Sequence, residues 1–168
     1  MPEAENQKSR ATLSEIEARV IDVFVGGLRV LGMPGSVGEI YGLLYISQEP
    51  LALDDLVSRL GISKGSASQG LRTLKSLGAV RECEREGVRR TFYEADVELK
   101  KLVGGFIREQ VRPHLESGQA KVSALQSAVN QTSDPVERAF FDERLDRLEN
   151  WMRRGRMVLP VLQKFLGQ

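Results

Sequence analysis

From residue 12 onward, apolar positions recur at intervals of three and four. Leu13, Ile16, Val20, Val23, Gly27 and Leu31 make one such stripe and predict a helix over 12–33. Thr12 and Glu15 have the T-x-x-E spacing of a capping box, each side chain closing one orphan backbone donor. Gly26 and Gly27 weaken this helix by about 1 kcal/mol each relative to alanine, and their small size suits close approach by another helix. Gly32-Met33-Pro34-Gly35 ends it. Residues 1–11 are polar and without period, which predicts a disordered tail. A second helix places Val37, Ile40, Tyr41 and Leu44 on one face and stops in the turn Ser47-Gln48-Glu49-Pro50. A short third helix carries Leu53, Leu56, Val57 and Leu60. Ala52 gives its start no capping side chain, and Gly61 suits its end.

The fourth helix opens at Ser63, a natural N-cap. Ala67, Leu71 and Leu74 predict its inner face, and Leu77-Gly78 its end. The opposite face holds Lys64, Gly65, Ser66, Ser68, Gln69, Arg72, Thr73 and Lys75, with no acidic residue among them. The period then changes. Val80 to Glu84 and Arg89 to Tyr93 read as two strands, with Arg85-Glu86-Gly87 as their turn. Asp96 caps a new helical stretch, and everything from there to the end reads helical. Pro113 should bend the first long helix, and Ser133-Asp134-Pro135 separates it from the second. That second helix repeats Phe141, Leu145, Leu148, Met152, Gly155, Leu159, Leu162 and Leu166, a heptad spacing disturbed near its end by Pro160.

A short helix, a tight turn at Gly61, a second helix and a basic hairpin make a winged helix-turn-helix pattern. The expected fold is mainly α (α+β), with a winged domain over 34–95 between an N-terminal dimerisation helix over 12–33 and a C-terminal helical dimerisation region over 96–168. Charge supports the pattern. The 168 residues carry 24 basic and 23 acidic side chains, a net of +1, yet residues 62–93 carry seven basic against three acidic, or +4. Residues 1–20 sum to −1. A local basic field of this kind can bind a polyanion although the whole chain is nearly neutral.

Each residue type on the outer face has a physical use at a duplex. Ser63, Ser66 and Ser68, near the positive end of the helix dipole, can donate to phosphates. Gln69 and Arg72 can reach base edges, glutamine favouring adenine and arginine guanine. Lys64 and Thr73 belong to the same face, and Arg89 and Arg90 on the wing can touch the minor groove or flanking phosphates. These nine residues are the candidate DNA contacts. The competing interpretation is a winged helix used for protein contact without DNA.

The runs Gly32 to Gly38 (GMPGSVG), IYGLLYIS over 40–47, EPLALDDL over 49–56, GISKGSAS over 61–68 and LRTLKSLGAV over 71–80 resemble the GbsR-type transcriptional regulators, a branch of the MarR-like winged-helix repressors. The resemblance is continuous from about Gly32 to Tyr93 and architectural in the C-terminal helices. It implies a homodimeric repressor whose outer helices form the dimer, and some relatives answer choline and control glycine betaine genes. The sequence departs from the family run at Gly35 and Glu39, where basic residues are expected, and at Gln69-Gly70 and Leu77. Gly70, within the recognition helix, either lets the backbone approach DNA, lets it approach a neighbouring helix, or is simply tolerated there.

Burial points the same way on assembly. Three long apolar stripes exceed what one small winged domain can cover, so an intrachain pair of C-terminal helices and a two-fold dimer are both expected. A dimer would space two recognition helices about 34–36 Å apart on a near-palindrome.

Tyr41, Tyr45, Phe92, Tyr93, Phe106 and Trp151 are either core residues or the lining of an effector cavity, in which aromatic faces would hold a quaternary ammonium osmolyte. Cys83 sits between Glu82 and Glu84 with no second thiol in the chain, which favours a structural strand cysteine over a redox sensor. A single histidine, His114, and a single cysteine leave little for a metal, and no P-loop follows the glycines of 26–42, so neither a catalytic arrangement nor a cofactor is expected. No apolar run reaches the ~18 residues of a membrane span and no signal-peptide pattern occurs, which predicts a cytoplasmic protein with no membrane partner.

Overall fold

The computed structural model describes residues 13–85 and 87–166. The chain divides into two compact units, one ending at Leu102 and the other beginning at Val103. It is mostly helical with a small antiparallel sheet, the winged-helix class expected from the sequence.

The first unit opens with α1, Glu15–Val30. Its capping box is formed by Ser14 and Glu17. The Glu17 amide donates to Ser14 Oγ at 3.2 Å, and the Ser14 amide donates to Glu17 Oε2 at 2.8 Å. The expected Thr12 cap lies outside the described residues, and Glu15 ion-pairs instead with Arg19. The helix α2, Gly35–Ile46, follows. It is enclosed on nearly every side, with Leu43, Gly38 and Gly42 buried as well as the expected Val37, Ile40, Tyr41 and Leu44. It is therefore the central element of the unit rather than a one-faced surface helix.

The close approach between α1 and α2 corrects the sequence reading. A Cβ at Gly26 or Gly27 would meet nothing within 4 Å. A Cβ at Gly38 would lie 2.6 Å from Val25 Cα, and one at Gly42 would lie 2.8 Å from Ile21 Cα. The glycines that bring the helices together are thus those of α2. The buried side of α1 is Ile21 and Leu28, with Phe24 and Val25 half-buried. Ile16, Val23 and Gly27, assigned to the inner stripe by their spacing, face outward. Phe24 meets Tyr41 edge-on with centroids 4.9 Å apart and lies the same distance from Tyr45.

A two-residue strand β1, Leu51–Ala52, leads into α3, Leu53–Leu60. Ala52 has no side chain to cap with, but Asp55 Oδ2 accepts from the Ala52 amide at 2.9 Å and supplies half of a capping box. Gly61 ends α3 at φ +66°, a left-handed conformation that any side chain would strain. It turns the chain into α4, Lys64–Ser76. Gly78, at φ +72°, closes α4 in a Schellman motif: its amide donates to Lys75 O and that of Ala79 to Leu74 O, both at 2.9 Å.

The hairpin is β2, Val80–Arg85, and β3, Val88–Ala95, with register Cys83↔Phe92 and Arg81↔Glu94 and a bulge between Cys83 and Arg85. Sheet order is β1-β3-β2, Leu51 pairing with Tyr93 and Ala52 with Phe92. Asp96 fixes the exit of the sheet. Its amide donates to Ala79 O at 2.8 Å, its carbonyl accepts from Tyr41 Oη at 2.7 Å, and its carboxylate accepts from the Glu98 amide and from Lys101.

Helix α5, Leu99–Phe106, is followed by a π-helical turn, Ile107–Val111, and then by α6, Arg112–Val129. The expected Pro113 disturbance takes this form. Proline has no amide to donate and crowds the carbonyl four residues back, so the turn ahead of it widens. In the second unit α6 pairs with α7, Pro135–Phe165, which Asp134 caps by accepting from the Val136 amide at 2.8 Å. Leu115, Val122 and Val129 line the inner side of α6 at a seven-residue repeat. Gly118 admits Met152, and Gly155 faces Leu115, so the two helices run antiparallel. Arg112 bonds to Gln163, Arg156 to Gln119 and Gln126 to Asp142 along the seam. This is the intrachain pairing expected from the sequence. Of the predicted heptad only Met152 is buried, while Phe141, Leu148 and Leu162 are exposed. Among the described residues no helix is long and apolar enough to cross a membrane, and no His, Cys, Asp or Glu cluster could hold a metal.

Candidate nucleic-acid interface

The candidate interface is built on α4. Ala67, Gly70, Leu71 and Leu74 are buried and seat the helix. A Cβ at Gly70 would collide with Ile40 Cδ1, and Ile40 is itself fully buried. Of the three readings open to Gly70, the structure shows close packing against α2. Burying the leucines is worth about 1.5–3 kcal/mol each, so this face has a strong inward preference. The opposite face is left to solvent. Lys64, Gly65, Ser66, Gln69, Arg72 and Lys75 are exposed, and Ser68 and Thr73 are half-buried at its margins.

The polar groups are not equally available. Ser63 caps the helix, its Oγ accepting from the Ser66 amide at 3.1 Å and donating to Ser66 Oγ at 2.9 Å. Lys64 pairs with Asp54 at 3.3 Å. Lys75 pairs with Glu82, and Arg81 on the wing pairs with Glu94 directly across the sheet. Among the described residues Arg72 and Arg89 have no ion pair, and both are exposed. Arg90 lies over the Phe92 ring, 5.6 Å from its centroid, which stiffens the arginine without neutralising it. The open cations are therefore Arg72 on the helix and Arg89 and Arg90 on the wing. They lie on elements held by one core, because α4 and β3 both pack around α2.

Two acidic groups in this unit have shifted titrations. Burial pushes Glu17 upward, but the Ser14 amide and the Arg59 guanidinium, 2.7 Å away, outweigh it and hold the carboxyl below its usual range. The Lys101 hydrogen bond lowers Asp96, helped by the Glu98 amide. Tyr41 is pushed up to about 12, chiefly by burial.

The aromatic candidates for an effector divide between the units. Tyr41 is fully enclosed with its hydroxyl engaged, Tyr45 and Tyr93 are half-buried in the first unit, and Phe92 is buried in the sheet. Phe106 is half-buried and Trp151 is 69% exposed, both in the second unit. Cys83 is half-buried on β2 opposite Phe92. Sequence reasoning missed the carboxylates that pair with Lys64, Lys75 and Arg81. Glu82 is seven residues from Lys75, but Asp54 and Glu94 are ten and thirteen residues from their partners, separations that carry no helical or strand period.

A helix-turn-helix of α3 and α4 packed on α2, with a hairpin wing beside an open polar helix, defines the winged helix-turn-helix class. No protein-family model matches the chain. Its homologues are helix-turn-helix transcriptional regulators, a non-enzymatic class. The chain is 27% identical over 84 residues to the putative HTH-type transcriptional regulator YvaV of Bacillus subtilis, covering 50% of this chain and 48% of that one. It is 27% identical over 118 residues to the HTH-type transcriptional repressor GbsR of the same organism, covering 70% and 63%. The chain thus spans about half to two thirds of the length of these curated relatives. A crystal structure described as a transcriptional regulator matches with a TM-score of 0.63 over 90% of this chain and 95% of its own. At 18% identity that likeness establishes the fold. The resemblance to GbsR-type regulators read from the sequence therefore stands.

Proposed function

We propose that the chain is a sequence-specific DNA-binding transcriptional regulator, a homodimeric and cytoplasmic repressor that answers a small molecule. The observation that carries the DNA reading is the uncovered outer face of α4, polar, free of acidic residues, with Arg72 open at its centre. In this reading α4 enters the major groove, Gln69 and Arg72 read base edges, Ser66, Ser68, Thr73 and Lys64 meet phosphates, and the wing arginines lie on the flanking backbone. Ser63 acts through its cap, which orients the first turn of α4.

Dimerisation is supported by apolar surface that neither unit buries. Ile16, Val23 and Val30 form a seven-residue repeat along the outside of α1, Val30 being 87% exposed. On α7, Leu148, Trp151, Val158, Leu162 and Phe165 are exposed at alternating spacings of three, seven, four and three. A monomer gains nothing by presenting such stripes to water, and a second copy would cover them. Repression and response to a quaternary ammonium effector follow the family resemblance, and GbsR is itself described as a repressor.

A gel-shift with the DNA upstream of the protein's own gene tests the reading. Retardation that weakens steeply with salt is expected, because Lys and Arg displace condensed counterions. No retardation at low salt and micromolar protein would favour a winged-helix module that binds another protein.

A further inference from the structure

The three ion pairs around α4 are arranged in a way the DNA reading does not require. Lys64 at the first position of α4 is tied to Asp54 on α3, and Lys75 in its last turn is tied to Glu82 on β2. Arg81, on the wing beside it, is tied to Glu94. The recognition helix therefore has a neutralised cation at each end and an open one, Arg72, between them. Counting the partners changes the local field. Residues 54–94 hold eight basic and six acidic side chains, a net of +2, against +4 for residues 62–93. Folding gains little from the Lys64–Asp54 and Lys75–Glu82 pairs, whose side chains are exposed, because exposed pairs add little stability.

We propose that Asp54, Glu82 and Glu94 hold down the sequence-independent affinity of this protein for DNA. The inference rests on the DNA-binding reading and deepens it. Sequence-independent affinity scales with the number of phosphates that cations neutralise, whereas base reading does not. A lysine held by a carboxylate must break that pair before it can meet a phosphate, and the carboxylate left behind repels the same backbone. Arg72, Arg89 and Arg90 carry no such tether, so attraction is concentrated on the centre of the helix and on the wing. A regulator restrained in this way spends less of its time on the large excess of random duplex that surrounds any operator.

The test is a salt titration of binding to a random-sequence duplex of thirty base pairs. It compares the full-length wild type with Asp54→Asn, Glu82→Gln and Glu94→Gln. A fourth variant, Glu143→Gln, removes an equal charge from an exposed ion pair with Arg147 on α7. Each of the three should steepen the log–log salt slope by about 0.9 per winged domain engaged, equivalent to roughly eightfold tighter binding at 0.1 M salt. Glu143→Gln should move neither. Unchanged melting temperatures would show that the fold is not the cause. If the three variants bind the random duplex no more tightly than Glu143→Gln, the inference is overturned while the DNA reading survives. If neither wild type nor any variant binds duplex at low salt, the DNA reading fails and takes the inference with it.

Discussion

Gly38→Ala places a methyl carbon where α1 crosses α2. That carbon would sit 2.6 Å from Val25 Cα, 2.8 Å from the Val25 nitrogen and 3.0 Å from the Phe24 carbonyl oxygen. Ordinary carbon contacts begin near 3.5 Å, so α1 must retreat by nearly an ångström or so. All three obstacles are backbone atoms, which no rotamer change can move aside. Overpacking of this kind costs about 1–3 kcal/mol, and the rigid obstacles favour the upper end. Alanine returns about 1 kcal/mol of helix propensity. The expected net loss is about 2 kcal/mol, or roughly 4–8 °C in melting temperature for a chain of this length. Gly27→Ala meets nothing within 4 Å and should instead stabilise by about 0.5–1 kcal/mol. Urea and thermal denaturation followed by circular dichroism would measure both. Near-ultraviolet signal from Phe24, Tyr41 and Tyr45 should fall in the Gly38 variant alone, because those rings bridge the two helices. A Gly38→Ala protein as stable as wild type would refute the packing argument, as would a Gly27→Ala protein that is less stable. The site is involved as well, because α2 carries the Ile40 that seats Gly70 of α4.

Titration gives two further expectations. The lowered Glu17 carboxyl contributes stability that is present above its unfolded value of 4.5 and is lost as pH falls through the folded one. Glu17→Gln retains a capping side chain but cannot ionise, so its acid unfolding curve should be flatter than wild type; coincident curves would contradict the assignment. Tyr41, raised to about 12, has the opposite sign: its contribution is complete below pH 10 and is lost between there and about 12. Tyr41→Phe should lose about 0.5–1.5 kcal/mol at neutral pH with the hydrogen bond to Asp96 O, and its stability should decline less from pH 10 to 12. A variant that declines as steeply as wild type would place the alkaline transition elsewhere. Trp151→Glu should convert a dimer to monomer in sedimentation velocity at micromolar concentration, and an unchanged sedimentation coefficient would take α7 out of the interface.

Much of the winged unit was legible because local rules and tertiary demands agree there. Ser63 as N-cap, Ala67, Leu71 and Leu74 as inner face and Gly87 as hairpin turn each follow from a short window, and the fold uses them as read. The α1 stripe misled for a physical reason. That helix is apolar on two sides, and periodicity finds a stripe without saying which one meets the core. The deciding fact was steric: Gly38 and Gly42 open a groove on α2 that receives Ile21 and Val25. The Leu51–Ala52 strand was invisible because two residues carry no alternation; it exists only through β3. At the interface, residue types on α4 could be read from spacing. Which cations are free could not, because Asp54 and Glu94 reach their partners only through the tertiary fold.

The most direct test concerns Arg72. Affinities of wild type and Arg72→Ala would be measured at one salt concentration on a duplex enriched by in vitro selection and on a random one. Loss of a base-reading arginine should cost about 1–3 kcal/mol on the selected duplex, roughly 5- to 150-fold, and less than that on the random one, where only its attraction to phosphate is lost. An Arg72→Ala protein that binds both duplexes as tightly as wild type would mean that the outer face of α4 does not meet DNA.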